Sequence, residues 1–244
     1  MNITTWFQLG TVGMVLGTLA MLWAMRRLPR EKYRESALLL AVGGIAAVAY
    51  AIMSLGIGTI TAADGHTVYL ARYLDWLLTT PLNVAYLVVI AGGSRRLLAE
   101  VGIVQALTIV FGLAGAIVAP PFKWVLFAIG GLLFARVLQL LYGPVAASIE
   151  GEADSLVGLY RKLLNFIAVL WMIYPVTWLL APSGLGVMDL ETQSLVISYI
   201  DVVAKIGFGL IALNGQAVAS YLTASDESES TDASEAGGDA VVAD

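Results

Sequence analysis

The sequence predicts an all-α membrane protein whose seven helices cross the bilayer as one bundle. Of its 244 residues, 59% are hydrophobic and only 13% are charged, whereas soluble domains carry about 25% charged residues. Seven apolar runs, each near the ~20 residues that a membrane span requires, are separated by short connections rich in glycine, proline or charge. We therefore expect a multi-pass protein of the cell membrane, not an enzyme, with the lipid bilayer as its first partner and no nucleic acid.

Each predicted helix is an apolar run bounded by residues that break helices. The breakers are charges around Pro29, Asp64-Gly65, Gly92-Gly93-Ser94, Pro120-Pro121, Gly151 between two glutamates, and Pro182-Ser183-Gly184. A short β-hairpin is expected near 59–70. The seven spans are predicted at 4–25, 36–58, 71–91, 97–118, 122–147, 157–181 and 192–222.

Basic residues orient the predicted bundle. Connections two, four and six offer only Lys123, and all the other loop bases fall in connections one, three and five. The positive-inside rule makes connections one, three and five cytoplasmic, which predicts an extracellular N-terminus and a cytoplasmic C-terminus. The bases of connections one, three and five are Arg26, Arg27, Arg30, Lys32, Arg34, Arg95, Arg96, Arg161 and Lys162.

Two parts of the chain differ sharply in charge. Seven of the 18 acidic residues follow Leu222, and this C-terminal part has no basic residue. The part up to Leu222 has the remaining 11 acidic residues and all 13 basic residues. We therefore predict a membrane domain over 1–222 and an acidic disordered tail over 223–244. The chain has no cysteine and one histidine, His66, so a thiolate or histidine metal cluster is excluded. We expect His66 to be a solvated loop residue.

Four charged residues within or beside the apolar runs indicate a functional interior. A charged side chain at the centre of a bilayer costs roughly 2.5–3.5 kcal/mol, so such groups need partners. Arg72, Asp75 and Thr79 recur at helical spacing on one face of the third span, and Asp201 and Lys205 are four apart on the seventh. A structural ion-pair network between two helices is one interpretation. Arg136, halfway along the fifth span, either snorkels toward the cytoplasmic interface or faces the interior beside Gln139.

Aromatic side chains favour a ligand site around these charges. Trp171, Tyr174, Pro175 and Trp178 form one stripe on the sixth span, with a proline that kinks the helix. Rings on several helices around one buried amine suggest a long, flat, apolar ligand held by a Schiff base. The other predicted spans add Trp76, Tyr50, Phe127 and Phe134.

Three motifs in order resemble the archaeal microbial rhodopsins. They are RYLDWLLTTP, WMIYPVTW and DVVAK, and the resemblance extends over the whole chain except the acidic tail. It implies all-trans retinal, with the 13-cis isomer as an alternative, bound to Lys205 as a protonated Schiff base. It makes Asp75 the primary counterion and proton acceptor and Asp201 the second counterion.

The resemblance also assigns roles to the neighbouring residues. Arg72 would adjust the charge balance on the extracellular side, and Tyr50 and Tyr174 would bond Asp201. Thr79 and Thr80 would follow Asp75 toward the cytoplasmic half. Gln105, Gly130 and Phe134 would lie at the ends of the pocket and tune absorption toward shorter wavelengths. The walls of the chromophore pocket would include Trp76, Trp171, Tyr174 and Trp178.

Several positions resemble sensory rhodopsin II. Asp75 argues against the inward chloride pumps, which carry threonine there. Tyr86 stands where proton pumps carry a carboxylate that returns a proton to the Schiff base, and a tyrosine with an ordinary pKa near 10 delivers protons poorly at neutral pH.

Ser183 and Gln193 stand where bacteriorhodopsin has its proton-release glutamates, although Asp189 and Glu191 lie close by. Tyr199 matches a tyrosine through which sensory rhodopsin II contacts its transducer, with a lipid-interface ring as the alternative.

One position resembles bacteriorhodopsin. Ala204 precedes Lys205 where sensory rhodopsin II has a threonine tied to signalling, and alanine has no donor. The mixture is similar to the middle rhodopsins. We expect a light sensor that signals phototaxis through a two-helix membrane transducer. The alternatives are a slow outward proton pump and a bundle with buried ion pairs and no chromophore. The family forms monomers and trimers, so a homo-oligomer is left open.

Overall fold

The computed structural model describes residues 2–220, which form seven helices long and apolar enough to cross a membrane. The seven-helix prediction is confirmed. The predictions for the acidic tail at 223–244 and for the last two residues of the seventh span lie outside the described residues. The helices are α1 (Ile3–Met25), α2 (Arg30–Ser54), α3 (Leu70–Ile90), α4 (Arg95–Ile117), α5 (Phe122–Ser148), α6 (Asp154–Leu180) and α7 (Leu190–Ser220).

Side-chain caps start three of these helices. Asn2 accepts the Thr5 N–H at 2.9 Å before α1, Ser94 accepts the Leu97 N–H before α4, and Asp189 accepts the Thr192 N–H before α7. Such caps satisfy backbone donors that the first turn of a helix leaves free. A 3₁₀ turn over Arg30–Lys32 opens α2 in place of a cap.

Three helices depart from regular α geometry. A five-residue π turn, Leu141–Val145, interrupts α5 at Pro144, and a second π turn, Val203–Gly207, interrupts α7. α6 breaks at Met172, between Asp154–Trp171 and Ile173–Leu180. Single π turns are frequent at functional sites, and the one in α7 contains Lys205.

The predicted hairpin is present. β1 (Thr59–Thr61) pairs antiparallel with β2 (Thr67–Tyr69), with Ile60 opposite Val68. Gly65 makes the turn with a φ of +91°, which only glycine adopts without cost. α2 ends at Ser54 and not at 58, because the chain turns there into the hairpin.

α3 and α7 occupy the middle of the bundle. About half of the most apolar part of each is buried, 56% in α3 and 50% in α7, against 11% in α4. Gly10 lets α1 approach α2, because a Cβ at this position would overlap the ring of Tyr50. We call the end of the bundle that carries Asn2 and the hairpin the N-terminal end, and the end where α7 reaches Ser220 the C-terminal end.

Three sequence-based placements need correction. Arg161 and Lys162 do not lie in a connection, because α6 already begins at Asp154, and both are exposed on that helix. The second correction is of the same kind, because the bases Arg30, Lys32, Arg34, Arg95 and Arg96 lie on helices: α2 begins at Arg30 and α4 begins at Arg95.

Of the two alternatives for Arg136, the structure excludes the interior one, because Arg136 is exposed at the outer surface of the bundle. It donates to Gln139 at 2.9 Å and to Glu100 of α4 at 2.8 Å.

The third correction concerns His66, which is not a solvated loop residue. Its side chain is 13% exposed, and its Nδ1 is hydrogen-bonded to Asp64. Asp64 also accepts the Lys123 Nζ at 2.9 Å, which joins the hairpin to the start of α5. Burial raises the pKa of the Asp64 carboxyl, but the hydrogen bonds from Lys123 and His66 outweigh it and hold that pKa below its ordinary value.

Candidate functional site: a buried lysine between two carboxylates

The centre of the bundle holds one amine and two carboxylates from two helices. Lys205, Asp75 and Asp201 are all buried. The Lys205 Nζ forms an ion pair and hydrogen bond with Asp75 Oδ2 and lies 3.5 Å from Asp201 Oδ2. A buried cation is stable only when it is paired in this way. The structure therefore brings together the charges that the sequence had placed on α3 and α7.

Asp201 receives hydrogen bonds from three aromatic side chains. The Tyr174 hydroxyl donates at 2.6 Å and the Tyr50 hydroxyl at 2.8 Å. The Trp76 Nε1 lies 3.2 Å from both carboxylate oxygens. Donors from α2, α3 and α6 thus converge on one carboxylate of α7 and satisfy its oxygens with hydrogen bonds.

Asp75 has fewer donors. Thr79, one helical turn later, places its hydroxyl 3.3 Å from Asp75 Oδ1, but that hydroxyl also lies 2.7 Å from the Asp75 backbone carbonyl. Threonine hydroxyls often return to the carbonyl four residues earlier. The main partner of Asp75 is therefore Lys205.

Arg72 lies on the N-terminal side of this centre. Its guanidinium stands 5.6 Å from the ring centre of Phe7 and 5.5 Å from that of Tyr69, within the range of cation–π attraction. Its Nε and Nη2 are buried and have no hydrogen-bond partner in the part of the chain that the structure describes. A small cavity of about 20 Å³ lies beside it, lined also by His66, Ser183 and Gln193, and its volume is enough for a water molecule.

A larger cavity of about 490 Å³ runs beside Lys205. This volume is typical of a site for a small organic ligand. Of the predicted site residues, Asp75, Thr79 and Tyr50 do not line the cavity but stand behind its wall. The predicted residues that line it are Arg72, Trp76, Thr80, Phe127, Gly130, Phe134, Trp171, Tyr174, Pro175, Trp178, Asp201 and Lys205.

Aromatic contacts stiffen the cavity wall. Trp178 stacks on Phe127 with ring centres 4.4 Å apart and planes 15° from parallel. Trp76 meets Tyr174 edge to face at 5.1 Å. Such pairs contribute about 0.5–1.5 kcal/mol beyond their burial, so the walls are rigid and flat-sided.

Sequence reasoning missed one face of α4. Thr108, Ile109 and Gly112 line the cavity next to Gln105, whose amide donates to the Thr80 hydroxyl at 2.9 Å. Positions 105, 108, 109 and 112 follow the spacing of one helical face, so periodicity from Gln105 could have found them. Tyr73, Asn83, Leu138, Met172 and Ile197 also line the cavity without a signal of this kind.

This arrangement suits a long apolar aldehyde. A lysine amine can join a carbonyl carbon as a Schiff base. The two carboxylates would then stabilise the positive charge on Nζ, while the rings exclude water from the rest of the ligand. The donor set and the cavity therefore fit a chromophore attached to a lysine.

Comparison with known proteins agrees with this geometry. Residues 1–219 match the family described as bacteriorhodopsin-like protein. Sensory rhodopsin-2 of Haloarcula vallismortis is 51% identical over 213 residues, which is 87% of this chain and 90% of that one. Bacteriorhodopsin-II of Haloarcula marismortui is 36% identical over 224 residues, or 87% of this chain and 88% of that one.

A solved structure gives the same result for the fold. The crystal structure of thermophilic rhodopsin from Rubrobacter xylanophilus superposes with a TM-score of 0.84 and 31% identity. The match covers 88% of this chain and 96% of that one. The chain therefore belongs to the bacteriorhodopsin-like family, the microbial rhodopsins, and membership of that family implies a retinal chromophore.

Proposed function

We propose that the protein is a light-sensing photoreceptor of the sensory rhodopsin II kind, with all-trans retinal bound to Lys205. The observation that carries this proposal is the buried Lys205 ion pair with Asp75 at the wall of a 490 Å³ cavity. When bound, retinal supplies light absorption and a change of shape at the lysine. The 13-cis isomer is the alternative form in the dark.

The chain's own residues would then move one proton. Any displacement of the Lys205 Nζ away from Asp75 weakens the attraction that holds both charges in a dry site. The proton on Nζ passes to Asp75 Oδ2, which leaves two neutral groups. Asp201 keeps its hydrogen bonds from Tyr50, Tyr174 and Trp76 during this transfer. Arg72, on the N-terminal side, balances the remaining negative charge.

A sensor is favoured over a pump by the residues that would complete a proton path. Tyr86 is fully buried and is not a carboxylic acid. Ser183 and Gln193 line the small cavity beside Arg72, and neither is a proton-release carboxylate. The chain is also more similar in sequence to sensory rhodopsin-2 than to bacteriorhodopsin-II, which supports the sensor over the pump.

A slow outward proton pump is the second candidate function. Ala204 is buried next to Lys205 and lines the large cavity, and it has no hydroxyl with which to couple Tyr174 to α7. This is the position at which the chain resembles bacteriorhodopsin. Asp189 and Glu191 near the start of α7 could also assist proton release.

The sensor proposal includes an orientation and a partner. The positive-inside rule places the C-terminal end of the bundle, where Arg26, Arg27, Arg95 and Arg96 lie, in the cytoplasm. Tyr199 is 69% exposed on α7, and we assign it to the contact with a two-helix membrane transducer. An exposed aromatic ring on a membrane helix suits either a partner helix or the lipid interface.

Two measurements test the proposal. Adding all-trans retinal to the membrane protein should produce visible absorbance, which Lys205→Ala should abolish and Lys162→Ala, at an exposed lysine, should leave intact. Colour in the Lys205→Ala protein contradicts the site. Illumination of cells should give no sustained acidification of the medium, and acidification that an uncoupler abolishes would favour the pump.

A further inference from the structure

A second polar cluster lies at the C-terminal end of the bundle, away from the lysine site. The Gln216 amide of α7 donates to the Glu35 carboxylate of α2 at 3.0 Å. Lys32 forms an ion pair with the same carboxylate at 3.2 Å. The Glu35 side chain is 15% exposed, so it is in contact with water on one side and with the bundle interior on the other.

Tyr86 connects this cluster to the interior. Its hydroxyl is buried and has no hydrogen-bond partner among residues 2–220, and the Glu35 carboxylate is near enough to act on it electrostatically. The Tyr86 ring is held edge to face against Phe208 of α7 at 5.9 Å. An unpaired buried hydroxyl costs about 1–3 kcal/mol, so its retention needs a reason.

Asn83 extends the same line to the large cavity. It lies three residues before Tyr86 and therefore on the same face of α3. Asn83 lines the cavity that contains Lys205, and within the described part of the chain its Oδ1 is also buried without a partner. The Oε1 of Gln216 is a third buried oxygen that no described residue satisfies. Polar oxygens thus lead from the cavity to the mostly buried Glu35 carboxylate.

The spacing along α3 separates this line from the counterion site. Tyr86 is eleven residues after Asp75, so it stands about 16 Å farther along the helix axis. A direct transfer over that distance is excluded, whereas a chain of water molecules between successive polar groups could carry a proton. Asn83, Tyr86 and Gln216 supply hydrogen-bonding groups for such waters.

We propose that Glu35 is the proton-uptake group of this protein, which collects protons from water and passes them through Tyr86 and Asn83 toward Lys205. This inference rests on the proposed function. The Glu35 carboxylate takes a proton from solvent and gives it to a water molecule inside the bundle. The Tyr86 oxygen accepts a proton from that side as its own O–H proton moves on toward Asn83. The Lys205 Nζ thereby gains a proton from solvent in place of the one that it gave to Asp75, and Glu35 returns to its ionised form. Asp75 then releases the proton that it accepted, which restores the resting charges of the site.

Lys32 and Gln216 set the properties of this collector. The Lys32 ammonium and the Gln216 amide hold the Glu35 carboxylate at the boundary between water and the bundle interior. A collector of this kind speeds proton entry without storing the proton. The resting photoreceptor would therefore still recover more slowly than a protein with an acid in the place of Tyr86.

The test is Glu35→Gln in the complete retinal-bound protein, followed by flash spectroscopy of the return to the dark absorbance. Glutamine keeps the size of Glu35 and can still bond Gln216, although it loses the ion pair with Lys32, so a structural effect is separated from a proton-transfer effect by the rescue described below. Because a positioned proton-transfer group contributes about 100-fold or more and bulk water can replace part of it, we expect recovery to slow by about tenfold. Glu31→Gln, at an exposed glutamate in the preceding turn, should recover at the original rate.

Two additions make the result decisive. Sodium azide, whose conjugate acid is small enough to carry protons into the cavity, should restore the recovery rate of Glu35→Gln. Tyr86→Phe, which keeps the ring against Phe208, should also slow recovery. Unchanged recovery in Glu35→Gln, equal slowing in Glu31→Gln, or slowing that azide does not relieve overturns the proposal. Failure of the unaltered protein to form a coloured pigment would instead count against the proposed function.

Discussion

The Trp76 indole N–H faces both oxygens of Asp201, at 3.2 Å from each. With the hydroxyls of Tyr50 and Tyr174, this gives Asp201 three donors, whereas Asp75 has, among residues 2–220, only the shared hydroxyl of Thr79 besides Lys205. Protonation of Asp75 therefore breaks fewer hydrogen bonds than protonation of Asp201. Since the two carboxylates are equally buried, this difference in donors supports the proposed assignment of Asp75 as the proton acceptor.

Asp75→Asn should remove the light-driven loss of the Lys205 proton. An amide keeps the shape of the carboxylate but cannot accept the proton, and the donors around Asp201 oppose its use as a substitute. Flash spectroscopy should find no fast formation of the short-wavelength species that marks a neutral Nζ. The control is Asp154→Asn at the exposed start of α6. Normal formation of that species in Asp75→Asn would assign the acceptor to another group.

Tyr174→Phe should destabilise the protein without emptying the cavity. The change removes a 2.6 Å hydrogen bond from a buried carboxylate, and loss of a bond to a charged group costs about 1.5–3 kcal/mol. The thermal midpoint of the retinal-bound protein should fall. Tyr142→Phe removes an exposed hydroxyl bonded to Asn165 at 2.8 Å. This control should lower the thermal midpoint much less. Equal effects would mean that the bond to Asp201 has no special value.

The hairpin contact should make stability depend on pH through Asp64. Hydrogen bonds from Lys123 and His66 outweigh burial and hold the Asp64 pKa below its ordinary value of 3.8. A depressed pKa gives stability that is present above the unfolded-state value and is lost as the pH falls through the folded-state value. The difference in thermal midpoint between the natural protein and Asp64→Asn should therefore be largest near about pH 6 and vanish near about pH 2. A difference that stays constant over this range would exclude the carboxylate as its cause.

The Arg136–Glu100 pair should contribute little to stability. Both side chains are more than 40% exposed, and exposed ion pairs are typically worth about 0–1 kcal/mol. A double-mutant cycle with Arg136→Gln and Glu100→Gln should give a coupling energy in that range. A coupling well above it would show that the lipid surroundings strengthen the 2.8 Å contact.

Local patterns predicted the parts of the fold that depend on neighbouring residues. The spans follow from apolar runs and breakers, and the hairpin follows from Asp64-Gly65 between two short β-forming stretches. The grouping of Arg72, Asp75, Asp201 and Lys205 could also be predicted, because unpaired charges are expensive inside a membrane.

Contacts between distant elements could not be predicted in this way. No periodicity connects Arg136 with Glu100, Asp64 with Lys123, or Glu35 with Gln216, since each pair depends on how two helices or a loop pack together. His66 lies in a polar segment, and its low exposure depends on its bond to Asp64 and on its position near Ala116 and Ser183 around the small cavity. The π turn around Lys205 likewise has no marker in the sequence, because neither glycine nor proline interrupts α7 before Gly207.

The widened turn at Val203–Gly207 makes α7 irregular at the buried lysine. π bulges are among the few places where a helix bends sharply. The segment before this turn is anchored by Asp201 to three other side chains, whereas the segment after it continues past Gln216 to the C-terminal end. If a chromophore is attached to Lys205 as proposed, a displacement of that side chain should therefore bend α7 at this turn and move the second segment more than the first.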